Sequence, residues 1–431
     1  MNRLMAMLCL GVFSSVAGAQ TILIEDVRIF NGVDPDLRPG HVLVVDGIIE
    51  TISRQPIEAP DGARVIGGGN RVLSPGLIDL HTHLTIQNPR DMERYHPVVA
   101  GANAASMARF YLDAGYTTIR DAGGTHPDFA RAIEKGVIYG PRVFPSGAIV
   151  SQTAGHGDSR AAHDPHPTLV GGSPVSADGA YVLADGVDQT LMATRENLRA
   201  GATQIKIMGG GGVMSEFDPI HSLQPSPAEI RAAVQAASDW DTYVLAHAYT
   251  SDAIRRLVEN GVRCIEHGLL LDEETAKLVA DNDVVISTQL VIFRTLQDLP
   301  GINERNLGKL KVVLEGQENL IRLIKKYDIR TGFATDFIQG GYTQLMREFT
   351  ERAEYWTPAE VLKQATSESA EVIRMIGKLN RWGNFGEIRE GWVADILLIN
   401  GEPLDDISVL RDPDSALALI MKGGEIVKLE L

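Results

Sequence analysis

Eight short apolar runs, alternating with stretches of helical character, constrain this chain more than any other feature. The runs are Leu77–His83, Tyr116–Asp121, Arg142–Ser146, Gln204–Met208, Tyr243–His247, Cys264–His267, Val284–Thr288 and Thr331–Asp336. Runs this short and this continuously apolar fit buried parallel strands, whose two faces are both covered. Helices fit between them at Pro97–Asp113, Pro127–Lys135, Val187–Arg199, Pro227–Ser238, Ser251–Asn260, Asp272–Asp281 and Arg305–Lys326, several with Ser, Asp or Pro at the start and Gly at the end. Eight strand-helix units predict an α/β fold, a (β/α)8 TIM-like barrel, whose chemistry collects at the C-terminal ends of the strands.

The two ends of the chain read differently. Thr21–Ile24, Val27–Phe30 and His41–Val45 alternate with Asn31-Gly32 and Asp46-Gly47, which are hairpin signals. The same texture returns in Ala394–Ile399, Ala416–Met421 and Gly423–Val427. The simplest arrangement is a small β-sandwich built from both termini, with residues 20–73 and 385–431 as its two parts and 74–384 as the barrel. Residues 1–19 stand apart: Arg3, an apolar run Leu4–Val16 too short to span a bilayer, and the small-x-small site Ala17-Gly18-Ala19 read as a secretory leader. The expected location is periplasmic or secreted. A short membrane anchor is the alternative, and Cys9 follows Leu8 rather than a small residue, which argues against a lipoprotein.

If the barrel is right, functional residues should end the runs. The first ends in His81 and His83, which point the same way because side chains two apart on a strand share a face. The fifth ends in His247, the sixth in His267 and the eighth in Asp336. Any one of these is explained by a satisfied core histidine or a capping aspartate, but together they point to a metal site, which needs three or more such ligands in reach. Lys206 lies among apolar residues in the fourth run, where an unpaired ammonium is costly. A salt bridge is the plain explanation for it.

Gly76-x-Ile78-Asp79-x-His81-x-His83, Lys206, His247, His267 and Asp336 resemble the amidohydrolase superfamily, over nearly the whole chain beyond the leader. The resemblance implies two divalent metal ions, with zinc the default for a His-rich site, and a carboxylated Lys206 bridging them. It places His81, His83, Lys206 and Asp336 on one ion and Lys206, His247 and His267 on the other. It implies attack on an amide by a metal-bridging hydroxide, with Asp336 as the catalytic group that takes the proton and returns it to the leaving nitrogen.

Within the superfamily, the loops 151–158, 207–213 and 247–250 resemble the secreted prolidase and carboxypeptidase-type branch. That branch cleaves the amide bond to an amino acid with a free carboxylate, so N-acyl amino acids, short peptides and ochratoxin-type amides are the expected substrates. Its members form large homo-oligomers. His156 is the candidate donor to the scissile carbonyl or its oxyanion, unless it is a loop histidine tied to backbone. Tyr249, two beyond His247, is the candidate contact to the substrate carboxylate, unless it is a packed aromatic. Gly209–Gly212 allow either a close approach or a mobile linker. His163, His166 and His221 lie in polar stretches that could roof the pocket. Two other functions bear on the same residues. A cyclic amide or lactone hydrolase would keep the same metal site, and the full ligand set argues against a binding protein with a vestigial barrel.

A formal charge of −16 argues against nucleic acid or an anionic membrane as partner, and no later apolar run reaches transmembrane length. Without the leader, Cys264 is the one cysteine left, so no internal disulfide is available and stability rests on the core.

Overall fold

The computed structural model describes residues 21–86, 97–298, 302–337 and 344–431; the expected leader lies outside these residues. The strands Leu77–Thr82, Tyr116–Asp121 and Arg142–Pro145 pair in parallel in one sheet. Ile149–Ser151, Ile205–Met208, Val244–Thr250, Cys264–Leu270 and Val285–Ser287 pair in parallel in a second, with Tyr181–Leu183 at its edge. Every residue of Leu77–Thr82, Tyr116–Asp121 and Ile205–Met208 is buried, as strands covered on both faces require.

Two departures from the sequence reading bear on the site. The third run does not stop at Ser146: it resumes as Ile149–Ser151, so its first half belongs to one parallel sheet and its second half to the other. The eighth run forms no extended ladder. Thr331 bridges Ile286 and Phe337 bridges Thr82, while the Leu80 N–H donates to Phe333 O at 2.9 Å and the Asp336 N–H to His81 O at 2.9 Å. The eighth segment therefore lies between the seventh and first strands.

The helices Pro97–Asp113, Pro127–Glu134, Val187–Ala200, Pro227–Ser238, Ser251–Glu259 and Glu273–Asp281 fall where the pattern puts them. Ser226 and Glu229 cap Pro227–Ser238 reciprocally, satisfying two N–H groups that the first turn leaves free. The last expected helix is two, Glu304–Glu315 and Gln317–Tyr327. They divide at Gly316, where the chain presses on the sixth strand so closely that a Cβ would lie 2.0 Å from Leu269 O.

The sequence predicts a terminal β-sandwich, but the terminal strands share one seven-stranded ladder. The reason is Arg64–Pro75, a strand the sequence reading does not single out. It pairs in parallel with Thr21–Ile29 on one side and antiparallel with Ile396–Ile399 on the other. Ile22, Ile24, Val42, Val44, Leu398 and Met421 form an apolar cluster separate from that of the parallel strands. The two parts meet through Asp395, whose carboxylate pairs with buried Arg142 at 2.7 Å and whose carbonyl accepts from Gly76 N at 3.0 Å.

Candidate metal centre

The ends of the first strand and the eighth segment bring three ligand-type side chains together. His81 Nε2 and His83 Nε2 are 3.1 Å apart, and each lies 3.3 Å from Asp336 Oδ1. These three groups could hold a metal ion, since their ligand atoms all lie within 4.8 Å of one another. Burial alone would raise the Asp336 pKa, but the imidazoles of His81, His83 and His267 outweigh it and keep the carboxyl well below its usual range.

The remaining nitrogens fix which way the rings face. His81 Nδ1 lies 2.6 Å from Glu266 Oε2, and His83 Nδ1 lies 2.7 Å from Gly123 O. An ionised carboxylate and a carbonyl only accept, so both rings carry a proton on Nδ1 and turn Nε2 toward Asp336. Metal-ligating histidines are held this way by their outer partners. His267 Nδ1 is 2.7 Å from Gln289 Oε1, which leaves its Nε2 free, whereas His247 Nε2 is 3.3 Å from Gly211 O, which leaves its Nδ1 free. The His247 and His267 rings are 4.6 Å apart, and His267 lies 5.2 Å from His81.

Lys206 is 1% exposed. Burial pushes its ammonium down from the usual value against the opposing charges of Glu266 and Asp336. Gly123, whose carbonyl holds His83, packs against the third strand's continuation, where a Cβ would lie 2.2 Å from Ile149 Cγ1. The imidazoles and the carboxylate gathered here suit a divalent ion.

Several supporting roles escaped the sequence reading, that of Asp79 among them although the motif includes it. Glu266 bridges His81 to Arg120, whose guanidinium is fully buried and donates to Glu266 Oε1 at 2.6 Å, Leu80 O at 2.6 Å and the Tyr243 hydroxyl at 3.0 Å. Asp79 accepts from His81 N at 2.9 Å and Thr335 Oγ1 at 2.5 Å, tying the first strand to the segment that carries Asp336. Asp121 accepts from Gly123 N at 3.0 Å and Thr125 Oγ1 at 2.6 Å, setting the turn whose carbonyl holds His83. Glu266 had a signal, a charged residue inside an apolar run, the same one that marked Lys206. The backbone had none: His267 and Asp336 take φ of 75° and 56°, left-handed values that cost a non-glycine residue about 1–3 kcal/mol and gather at functional sites.

The predicted substrate contacts also reach the centre. The His156 ring stacks on His247 at 4.3 Å, and burial pushes its imidazole down to about 4, so it is neutral at pH 7. Tyr249 is buried, with its ring 4.8 Å from His247 and 5.2 Å from His267. The glycines after Lys206 serve close approach: a Cβ on Gly211 would lie 1.9 Å from Pro219 O, and one on Gly212 would lie 1.9 Å from the His156 ring. His163 and His221 are exposed, and His166 caps the turn Pro167–Val170; none of the three joins the cluster.

Parallel strands that end in this set of side chains define a class. The chain belongs to the amidohydrolase family, whose model matches residues 72–428, and it is a hydrolase of amide bonds. It is similar to the ochratoxinase of Aspergillus niger, 30% identical over 441 residues that cover 97% of this chain and 88% of that protein. Among solved structures, an amidohydrolase matches with a TM-score of 0.89 at 38% identity, over 96% of this chain and 100% of that one. A prolidase in complex with N-methylphosphonate-L-proline matches with a TM-score of 0.88 at 32% identity, over 95% and 100%.

Proposed function

We propose that this chain is a metal-dependent hydrolase of the amide bond that joins an acyl group to an amino acid with a free carboxylate. N-acyl amino acids, short peptides and ochratoxin-type amides are the substrates it fits. The observation that carries the reading is the convergence of His81 Nε2, His83 Nε2 and Asp336 Oδ1, with the other ring nitrogens pinned. Similarity to an ochratoxinase and to prolidases supports the substrate class.

Two divalent ions, zinc by default, fit the donor set: His81, His83, Lys206 and Asp336 would hold one, and Lys206, His247 and His267 the other. Carboxylation of Lys206 would replace a buried cation, costly without a partner, with an anion facing those ions. When bound, the ions supply hydroxide near neutral pH and polarise the amide carbonyl. Asp336 is ionised and its side chain is 21% exposed, so it can accept a proton from the pocket side and pass it to the leaving nitrogen, which departs poorly as an anion. His156 contacts the carbonyl oxygen and Tyr249 the substrate carboxylate. The eight parallel segments make a closed barrel, a reading supported by the bridges that the eighth makes to both neighbours. Export to the periplasm or medium and assembly into a homo-oligomer complete the proposal.

The test incubates purified protein with N-acyl amino acids, dipeptides and ochratoxin A, before and after chelation. A free amino acid should be released, from ochratoxin A phenylalanine, and chelation should stop its release. If the metal-loaded protein cleaves none of these amides, the substrate reading is wrong, and a ring-opened product of hydrolysis with nothing released would favour a cyclic amide or lactone instead.

A further inference from the structure

The loop after the strand Ile205–Met208 leaves and returns through one antiparallel bridge, Gly210 to Leu223, with Gln224 N donating to Gly209 O at 3.1 Å. Between these points, one helix takes four of its backbone carbonyls. From Glu304–Glu315, Lys309 Nζ donates to Gly212 O at 2.9 Å and to Ser215 O at 2.8 Å, Asn306 donates to Met214 O at 3.3 Å, and Arg305 to Glu216 O at 2.7 Å. Residues 305 and 309 are one turn apart and share a face. Inside the loop, buried Asp218 accepts from Gly212 N at 2.7 Å through Oδ2, and its Oδ1, with no hydrogen bond of its own, lies 3.9 Å from Lys309 Nζ.

The side of the loop away from the helix bears on the site. Ser215 Oγ lies 2.7 Å from His156 Nδ1, Asp218 Oδ2 lies 3.7 Å from the same nitrogen, and Gly212 backs the ring with no Cβ between. The backbone of Val213 meets the Tyr249 hydroxyl. Both residues proposed to touch substrate therefore lean on one loop, whose place is set by a lysine and an aspartate that do not themselves meet the metal-ligand cluster.

We propose that Lys309 and Asp218 are positioning residues for His156, acting through residues 211–222. The proposal rests on His156 being a substrate contact. A misplacement of about 1 Å can cost on the order of 100-fold in rate. Lys309→Met should therefore lower kcat/KM by roughly 10- to 100-fold, with bound metal unchanged and with Lys309→Arg recovering most of the loss.

The deciding measurement is a double-mutant cycle with His156→Ala, run on the fastest of N-acetyl-L-phenylalanine, an Xaa-Pro dipeptide and ochratoxin A. Once His156 is gone, Lys309→Met should cost little more. An equal loss in both backgrounds would overturn the proposal and leave the reading of His156 intact. If His156→Ala alone changes nothing, that reading falls and the proposal with it. Ser215→Ala, which removes one hydroxyl, repeats the cycle should Lys309→Met fail to fold, and the same two outcomes decide.

Discussion

Replacing Glu266 by glutamine probes how the centre is held, because the substitution keeps shape and removes one kind of acceptor. Glu266 makes two 2.6 Å contacts, one oxygen to Arg120 and the other to His81 Nδ1. A glutamine has one oxygen and one NH2. If the oxygen stays with Arg120, the NH2 faces His81 Nδ1, so the ring must carry its proton on Nε2, the atom turned toward Asp336. If the amide turns round, the NH2 opposes the Arg120 guanidinium, which is fully buried. The first leaves His81 no Nε2 lone pair for a metal and the second sets buried donors against each other, at about 1–3 kcal/mol. At about 1.4 kcal/mol per tenfold, metal affinity should fall by roughly 10- to 100-fold. Competition for zinc against a chelator of known affinity reads this directly, and denaturation of the chelated protein reads the separate loss of fold stability. A variant with wild-type affinity would refute the claim that Glu266 orients His81.

Three further outcomes follow from the same contacts. Gly212→Ala puts a Cβ 1.9 Å from the His156 ring, so kcat/KM should fall by about 100-fold while metal content holds, measured by kinetics and metal analysis on one sample. Chelation should destabilise the fold, by about 2.7 kcal/mol relative to protein held at a hundred times the metal Kd, read by denaturation with and without zinc. Arg142→Met leaves buried Asp395 without its partner and should cost about 3–5 kcal/mol in denaturation, with the turnover of the remaining folded protein unchanged.

The candidate ligands were legible because a run of parallel strands makes sequence position informative. A residue that ends an apolar run arrives at the same mouth whatever its distance along the chain, which is how His81, His247, His267 and Asp336 could be grouped. Their supports were harder to read. Arg120 reaches Glu266 across 146 residues, and nothing in either local sequence names the other. The left-handed backbone at His267 and Asp336 is imposed by surrounding contacts rather than by residue type. Ile149–Ser151 is too short for its alternation to register, and the helices Val291–Leu296, Arg347–Arg352, Pro358–Lys363 and Ser369–Arg374, six residues each, show no readable apolar period. Lys206 and Glu266 gave the same signal, a charge among apolar neighbours, but only Lys206 had a family motif to explain it.

The seven-stranded sheet carries a consequence for how the chain matures. Arg64–Pro75 emerges from the ribosome early, yet its antiparallel neighbour Ile396–Ile399 comes late, and the Arg71 to Asn400 contact beside that seam spans 329 residues. Until then the edge at Val72–Pro75 has no cover, the kind of surface that recruits other chains. Pairing at such separation is also slow. Truncation near the C-terminus should therefore do more than trim a tail: it should leave a sticky ribbon beside otherwise finished parallel sheets and send the product to inclusion bodies.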